Sequence, residues 1–281
     1  AEKLSDGAMY HKVSPLTEDD PLAAVFALPS NRSALGAETC VLTVTRFGMV
    51  KKSLISELPG PSAQTFTLAR VNDGDALMGV SLTDGKKDIL LVTAQGMAIR
   101  FKEDDVRPMG LVAAGVNGMK LDDKDIVIGA EILPAEGEIF LMTSDGKAKR
   151  VPEKDFPRQG RYGKGVVAWS LPTSSPKGKK VNIAGAVSGK PNHMATIFLS
   201  KAAPKSTRLD AAAVRKRAAA KGDVVVEIKP GDEVLSVNAA WNADRFVKAA
   251  SSSPKGGKKK AAPAKSSANT KKPAQAKKKK K

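Results

Sequence analysis

Apolar and polar residues alternate in short bursts along this chain. Residues 40–52, 89–101 and 139–151 each run through β-branched and apolar side chains into Thr-x-x-Gly, with a basic residue four places beyond the glycine. The glycines are Gly48, Gly96 and Gly146, spaced 48 and 50 residues apart, and the basic residues are Lys52, Arg100 and Arg150. This pattern predicts a β-hairpin whose glycine takes the positive φ of a tight turn. A fourth copy at 196–209 keeps the strand and a basic residue, Arg208, but carries Ala203 in place of the glycine. Its turn is expected to be longer or of another type.

A second strand recurs ahead of each hairpin, opening at Asp20, Asp75, Asp125, Lys180 and Asp232, with starts 55, 50, 55 and 52 residues apart. A period near 50 with about four short strands per unit predicts an all-β propeller of four to five blades. The glycine-rich stretches 107–119 and 158–167 are expected to carry the chain between blades. The fifth opening strand, 232–237, is expected to close the ring by joining the N-terminal blade. Residues 210–221, rich in Ala and Arg behind Asp210 as N-cap, are the best helical candidate. From residue 249 Lys, Ala, Pro, Ser and Gly dominate without apolar periodicity, which predicts disorder. The expected organisation is a leader over 1–18, the propeller over 19–248 and a basic tail over 249–281.

Charge sharpens this picture. The 281 residues hold 47 Lys+Arg against 29 Asp+Glu, a net +18. Residues 1–146 are net −7, residues 147–229 net +14, and residues 249–281 carry 12 Lys and no acid. So much like charge favours a polyanionic partner. The single cysteine, Cys40, excludes an internal disulfide and any Cys-based zinc site, and His11 and His193 are too far apart to suggest a ligand pair. Cys40 is expected in the core. The apolar runs at 41–44, 89–93 and 139–143 fall far short of the roughly 18 residues of a membrane span. The chain opens at Ala1 with no initiator Met and no signal-peptide core, which suggests a removed targeting segment or a piece of a longer protein.

The full unit reads Asp-x-apolar-x-Gly, then strand-Thr-x-x-Gly-x-x-x-Arg, then Arg-x-x-Gly-x-x-x-x-Gly-apolar-x-Gly-Met. It resembles the blades of the C-terminal β-pinwheel of the DNA gyrase A subunit (or of its topoisomerase IV counterpart), over roughly residues 19–241. The segment Gln159-Gly160-Arg161-Tyr162-Gly163-Lys164-Gly165 resembles that family's seven-residue box of Gln, basic, Arg, Gly, Gly, basic, Gly. Five positions fit; Gly160 replaces a basic residue and Tyr162 a glycine. The resemblance implies an accessory module that binds and bends duplex DNA around a basic rim, without sequence specificity. Its partners would be duplex DNA and the remaining topoisomerase subunits, with no cofactor, membrane or small-molecule substrate. No catalysis is expected: Tyr10 and Tyr162 are the only tyrosines, and neither sits in anything resembling the family's cleavage region. The implied location is the cytoplasmic nucleoid, or an organelle nucleoid after transit-peptide removal.

A backbone-reading surface needs cations at a repeat that tracks the duplex, with glycines allowing close approach. Lys52, Arg100, Arg150 and, by analogy, Arg208 would supply one such group per blade. Arg158, Gln159, Arg161 and Lys164 would add the box. Lys147, Lys149, Lys177, Lys179, Lys180, Lys205, Arg215, Lys216 and Arg217 would thicken the same half. A lone strand lysine is more often a solvated face residue. Two Ser-Pro-Lys sites, at 175–177 and 253–255, resemble linker-histone tails and suit phosphorylation switching. Trp169 and Trp241 are expected in the core, and Asp75, Asp125 and Asp232 at turns. The competing reading is a propeller scaffold for a protein partner, its basic tail giving nucleic-acid affinity or localisation. An enzymatic propeller lacks clustered carboxylates, histidines or a nucleophile motif.

Overall fold

The computed structural model describes residues 7–20, 22–25, 28–29, 31–32, 35–60, 64–133, 136–172 and 180–239. The hairpin turns follow from local chemistry. The Thr45 carbonyl accepts the Gly48 N–H at 3.0 Å, and its Oγ1 accepts the Met49 N–H at 3.1 Å. Thr93 and Thr143 repeat both bonds. Gly48, Gly96 and Gly146 stand at φ of 80°, 91° and 85°, each closing its turn in the left-handed region. At Gly146 the demand is also steric, because a Cβ would lie 2.1 Å from the Val226 carbonyl oxygen.

Aspartates brace these turns from the following unit. Asp75 Oδ1 accepts the N–H groups of Phe47 and Ala76, and Asp125 Oδ1 those of Gln95 and Ile126. Asp232 does the same for Lys201 and Glu233. Hydrogen bonds from the Ser200 hydroxyl and these backbone groups hold its carboxyl at about 2. The third unit has Val181 at this place, and Asn182 and Ser144 exchange the bonds instead.

Four hairpins result: β1 (Cys40–Thr45) with β2 (Met49–Leu54), β4 (Asp88–Thr93) with β5 (Met97–Lys102), β8 (Glu138–Thr143) with β9 (Lys147–Pro152), and β12 (Met194–Leu199) with β13 (Lys205–Arg208). The fourth turn is longer, its innermost pair being Ile197↔Lys205 against Met142↔Ala148 in the third. Inner strands are β3 (Leu77–Thr83), β7 (Val127–Leu133), β11 (Ile183–Gly189) and β15 (Val234–Ala239); the second hairpin strand is the outer strand of each blade, and two-residue edge strands β6 (Val116–Asn117), β10 (Val166–Val167) and β14 (Asp223–Val224) add to three of them. The sheets read β3-β1-β2-β6, β7-β4-β5-β10, β11-β8-β9-β14 and β15-β12-β13. A single helical turn, α1 (Tyr10–Val13), buries nothing.

The chain is therefore a four-bladed, all-β propeller-like body, with three features unlike the sequence expectation. Each recurring strand pairs with the hairpin before it, so β15 completes the fourth blade and does not join the first. Residues 22–25 accordingly form no strand, since no hairpin precedes them. The Ala- and Arg-rich stretch 210–221 is not an α-helix: Leu209–Ala211 is a 3-10 turn and the rest an extended linker with a turn at 217–218. Tertiary pairing overrides its helix propensity.

The inner strands pack in the order β3, β7, β11, β15, one per blade. Gly129 and Gly185 permit this approach, because a Cβ at either would come within 2.7 Å of Ala186 or Val237. Three apolar clusters fill the spaces between consecutive blades. On β8, Ile139 and Leu141 join the cluster shared with blade two, while Phe140 and Met142 join the one shared with blade four. A strand buried on both faces reads as a continuous apolar run. Cys40 and Trp169 lie in the interior; Trp241 and the tail lie outside the described residues.

Candidate nucleic-acid interface

The outer edge of the stack is made by three rim linkers, 106–117, 156–167 and 212–224. Each leaves a 3-10 turn, makes one parallel bridge to the second hairpin strand of the preceding blade, and then pairs antiparallel with that strand as β6, β10 or β14. The contacts Lys52↔Pro108, Arg100↔Arg158 and Arg150↔Val214 mark equivalent positions. The glycine-rich stretches thus edge the blades rather than merely connect them. The box lies on the rim of blade two, where the Gln159 N–H donates to the Arg100 carbonyl at 2.8 Å.

The basic position after each hairpin glycine is an inter-blade clamp. Lys52, only 4% exposed, donates to the Glu103 carbonyl at 3.2 Å and pairs with its carboxylate at 3.7 Å. Arg100 pairs with Asp88 at 2.7 Å and Glu153 at 2.8 Å and donates to the Glu153 carbonyl. After the hairpin of the fourth blade Leu209 stands where Glu103 and Glu153 stand in the second and third, so Arg150 of the third blade turns instead to Glu138 and the Ala212 carbonyl. The expected stripe of phosphate contacts from Lys52, Arg100 and Arg150 is therefore not on the surface. Burial raises the Glu153 carboxyl even against Arg100. Burial also pushes Asp88 upward, but hydrogen bonds from Arg158 and Arg100 overcome it and leave Asp88 below the usual carboxylate range.

Two arginines expected at phosphates staple neighbouring linkers together. Arg161 donates to the carbonyls of Asp105, in the turn before the first linker, and Asn117, at that linker's end. Arg217 repeats this toward Asp155 and Val167 on the second. Tyr162, between the box's cations, adopts φ 65°, the left-handed conformation that suits the glycine of the family pattern.

What remains open to a ligand is a subset of the expected residues. Arg158 is 52% exposed despite Asp88, and Lys164 62% exposed beside Asp122 at 2.7 Å, a contact that holds its ammonium above the usual lysine range. Lys180, Lys205, Lys216 and Arg208 are exposed, Arg208 against Asp210. Lys147 is tied to Asp145, and Arg215 to Asp223. Lys149 is fully buried. Lys177 and Lys179 lie outside the described residues, as do both Ser-Pro-Lys sites. The first linker carries exposed Arg107 and no acid; exposed Asp104, Asp105, Asp122 and Asp123 lie on either side of it, interleaved with exposed Lys102, Lys120 and Lys124.

Sequence reasoning missed Glu103 and Glu153, although both stand seven residues after a hairpin glycine. It also missed exposed Lys221 on the third linker, and Lys51, a strand lysine expected to be solvated, is buried. Lys51 donates to the Leu68 and Leu111 carbonyls. Among the described residues no group of three His, Cys, Asp or Glu could hold a metal ion.

Blades that each take their inner strand from the next unit, the first three edged by a rim linker, make this an all-β propeller-like module. The family profile described as DNA gyrase C-terminal domain, beta-propeller, matches residues 41–84, 87–134 and 137–172, whose starts coincide with hairpins one to three. The DNA gyrase A protein of Salmonella typhimurium is 36% identical over 121 residues, which is 43% of this chain and 13% of that protein. A crystal structure of the C-terminal domain of DNA topoisomerase IV superposes with TM-score 0.74 at 25% identity, covering 83% of this chain and 70% of that one. A DNA gyrase A C-terminal domain shares the fold, with TM-score 0.63 at 17% identity over 73% of this chain and 67% of that one. Over residues 41–172 the chain matches the DNA gyrase C-terminal domain family, and the described body has the fold of the topoisomerase IV and gyrase A C-terminal domains.

Proposed function

We propose that the chain binds and bends duplex DNA, independently of sequence, along the rim of blades two to four. It would act as the non-catalytic accessory domain of a type II topoisomerase, in a nucleoid. One observation carries this reading: Arg158, Lys164, Lys205, Arg208, Lys216 and Lys221 all present exposed cations on outer strands or rim linkers of consecutive blades. Contacts with about six phosphates imply a roughly 10³-fold loss of affinity between about 50 and 200 mM salt, through counterion release. Residues 1–146 are net −7 and residues 147–229 net +14, which favours a partial arc over the later blades.

Salt-dependent binding of the full chain and of a chain ending at residue 248 tests the proposal. The steep dependence should persist without the tail, and ligation of nicked circles on the shortened chain should shift the linking number. If all salt-sensitive affinity leaves with residues 249–281, the blades are a scaffold and the proposal fails.

A further inference from the structure

The third rim linker is held by more side-chain bonds to its carbonyls than the other two. Lys149, 0% exposed, donates to the carbonyls of Arg217 and Ala219 at 2.7 Å each and approaches that of Lys216 at 3.5 Å. The Ser170 hydroxyl donates to the Ala218 carbonyl at 2.8 Å, and the Trp169 indole N–H to that of Ala220 at 3.0 Å. Five consecutive carbonyls, 216 to 220, thus turn inward onto three side chains. Lys149 also lies 4.7 Å above the Trp169 ring. In the second blade the position of Lys149 is Ile99, and in the first it is Lys51, which reaches a single carbonyl of its linker, Leu111.

A trans peptide unit is planar, with its N–H opposed to its C=O. Inward carbonyls at 216 to 220 therefore turn the following amides outward. The Ala219 N–H closes a turn to Lys216 at 3.0 Å, but those of Arg217, Ala218, Ala220 and Lys221 donate to no acceptor among the described residues. Exposed Lys216 and Lys221 flank them, and the side chains between, at 218 to 220, are all alanine, too small to cover the amides. Successive unpaired N–H groups around a turn, such as that at 217–218, bind anions.

We propose that residues 216–221 form a phosphate-binding nest for the duplex backbone and that Lys149 is its positioning residue, a reading that rests on the DNA-binding function above. The charged groups facing Lys149 are Arg215, paired to Asp223, and Arg217; on its own hairpin, Lys147 is paired to Asp145. Burial first, and then these two guanidinium groups, lower the Lys149 ammonium to about 8. Its charge behind the nest therefore disappears as pH rises through that value.

The test uses the full chain with a 20-base-pair duplex probe, reading amide hydrogen exchange at 217–221 and affinity from pH 7 to 9. Duplex should slow exchange at these amides, and affinity should fall severalfold through pH 8. Lys149→Met should abolish both the protection and the pH inflection. Because that variant disturbs the interior, Lys216→Ala with Lys221→Ala serves as a surface control that leaves the cage intact. It should lower the magnitude of the salt slope by about two. A duplex that binds without protecting 217–221, with a wild-type slope in the surface variant, overturns the nest. Unchanged protection and pH inflection in Lys149→Met overturn the role of Lys149. No duplex binding at all overturns the DNA reading itself.

Discussion

Replacing Arg100 by methionine separates the two roles that this position could play. As a clamp, Arg100 joins Asp88 and Glu153 at 2.7 and 2.8 Å, with side chains 16%, 7% and 9% exposed. Removing one partner of a buried pair typically costs about 3–5 kcal/mol. The lower end applies here, because Asp88 keeps Arg158 and the already raised Glu153 can take up a proton. Blades two and three should lose about 3 kcal/mol of mutual stability, a fall in Tm of about 6–12 °C for a body of this size. Urea denaturation measures this, and DNA binding is then compared at a temperature where both proteins are folded. The slope of log affinity against log salt should match the wild type. Stability within about 1 kcal/mol of wild type, together with a slope smaller by about one, would mean that Arg100 meets a phosphate, and would refute the clamp.

Lys164→Ala should do the reverse, lowering the salt slope by about one while leaving the thermal midpoint unchanged, since its pairing with Asp122 is fully solvated. Gly146→Ala should cost about 2 kcal/mol or more, from φ 85° and the collision with Val226, whereas Gly160→Ala, with open space around it, should stay within about 0.5 kcal/mol; urea midpoints check both. Asp88 is depressed in the folded state, so its contribution is present above its unfolded pKa and lost as pH falls through the folded one; Asp88→Asn should flatten that acid limb of a stability profile. Lys149 is lowered from 10.5 to about 8, so the unfolded chain binds more protons between those values and stability should rise with pH there. DNA affinity should fall over the start of the same window, and the rise in stability should be missing in Lys149→Met.

The hairpins were legible because their chemistry is local. Thr-x-x-Gly encodes a turn in which the threonine supplies both acceptors and the glycine the left-handed φ. The recurring aspartates were legible for the same reason, each accepting two neighbouring N–H groups. The roles of the cations were not. Lys52 and Arg158 are both basic residues near glycines, yet one is sealed against Glu103 and the other stands half in solvent. The Ala- and Arg-rich segment reads as a helix by propensity, but Lys149, Ser170 and Trp169 claim its carbonyls first.

The linear order of residues was enough to set a four-fold run of strand units, their period of about 50 residues and the positive charge of the later half. Short-range hydrogen bonds and residue volumes suffice for that. Folding in three dimensions settled which hairpin each inner strand completes and which cations face inward. Those outcomes depend on residues about 50 positions apart meeting across a blade boundary, where a buried carboxylate takes an arginine out of solvent. A single side chain carries no mark of which neighbour it will meet.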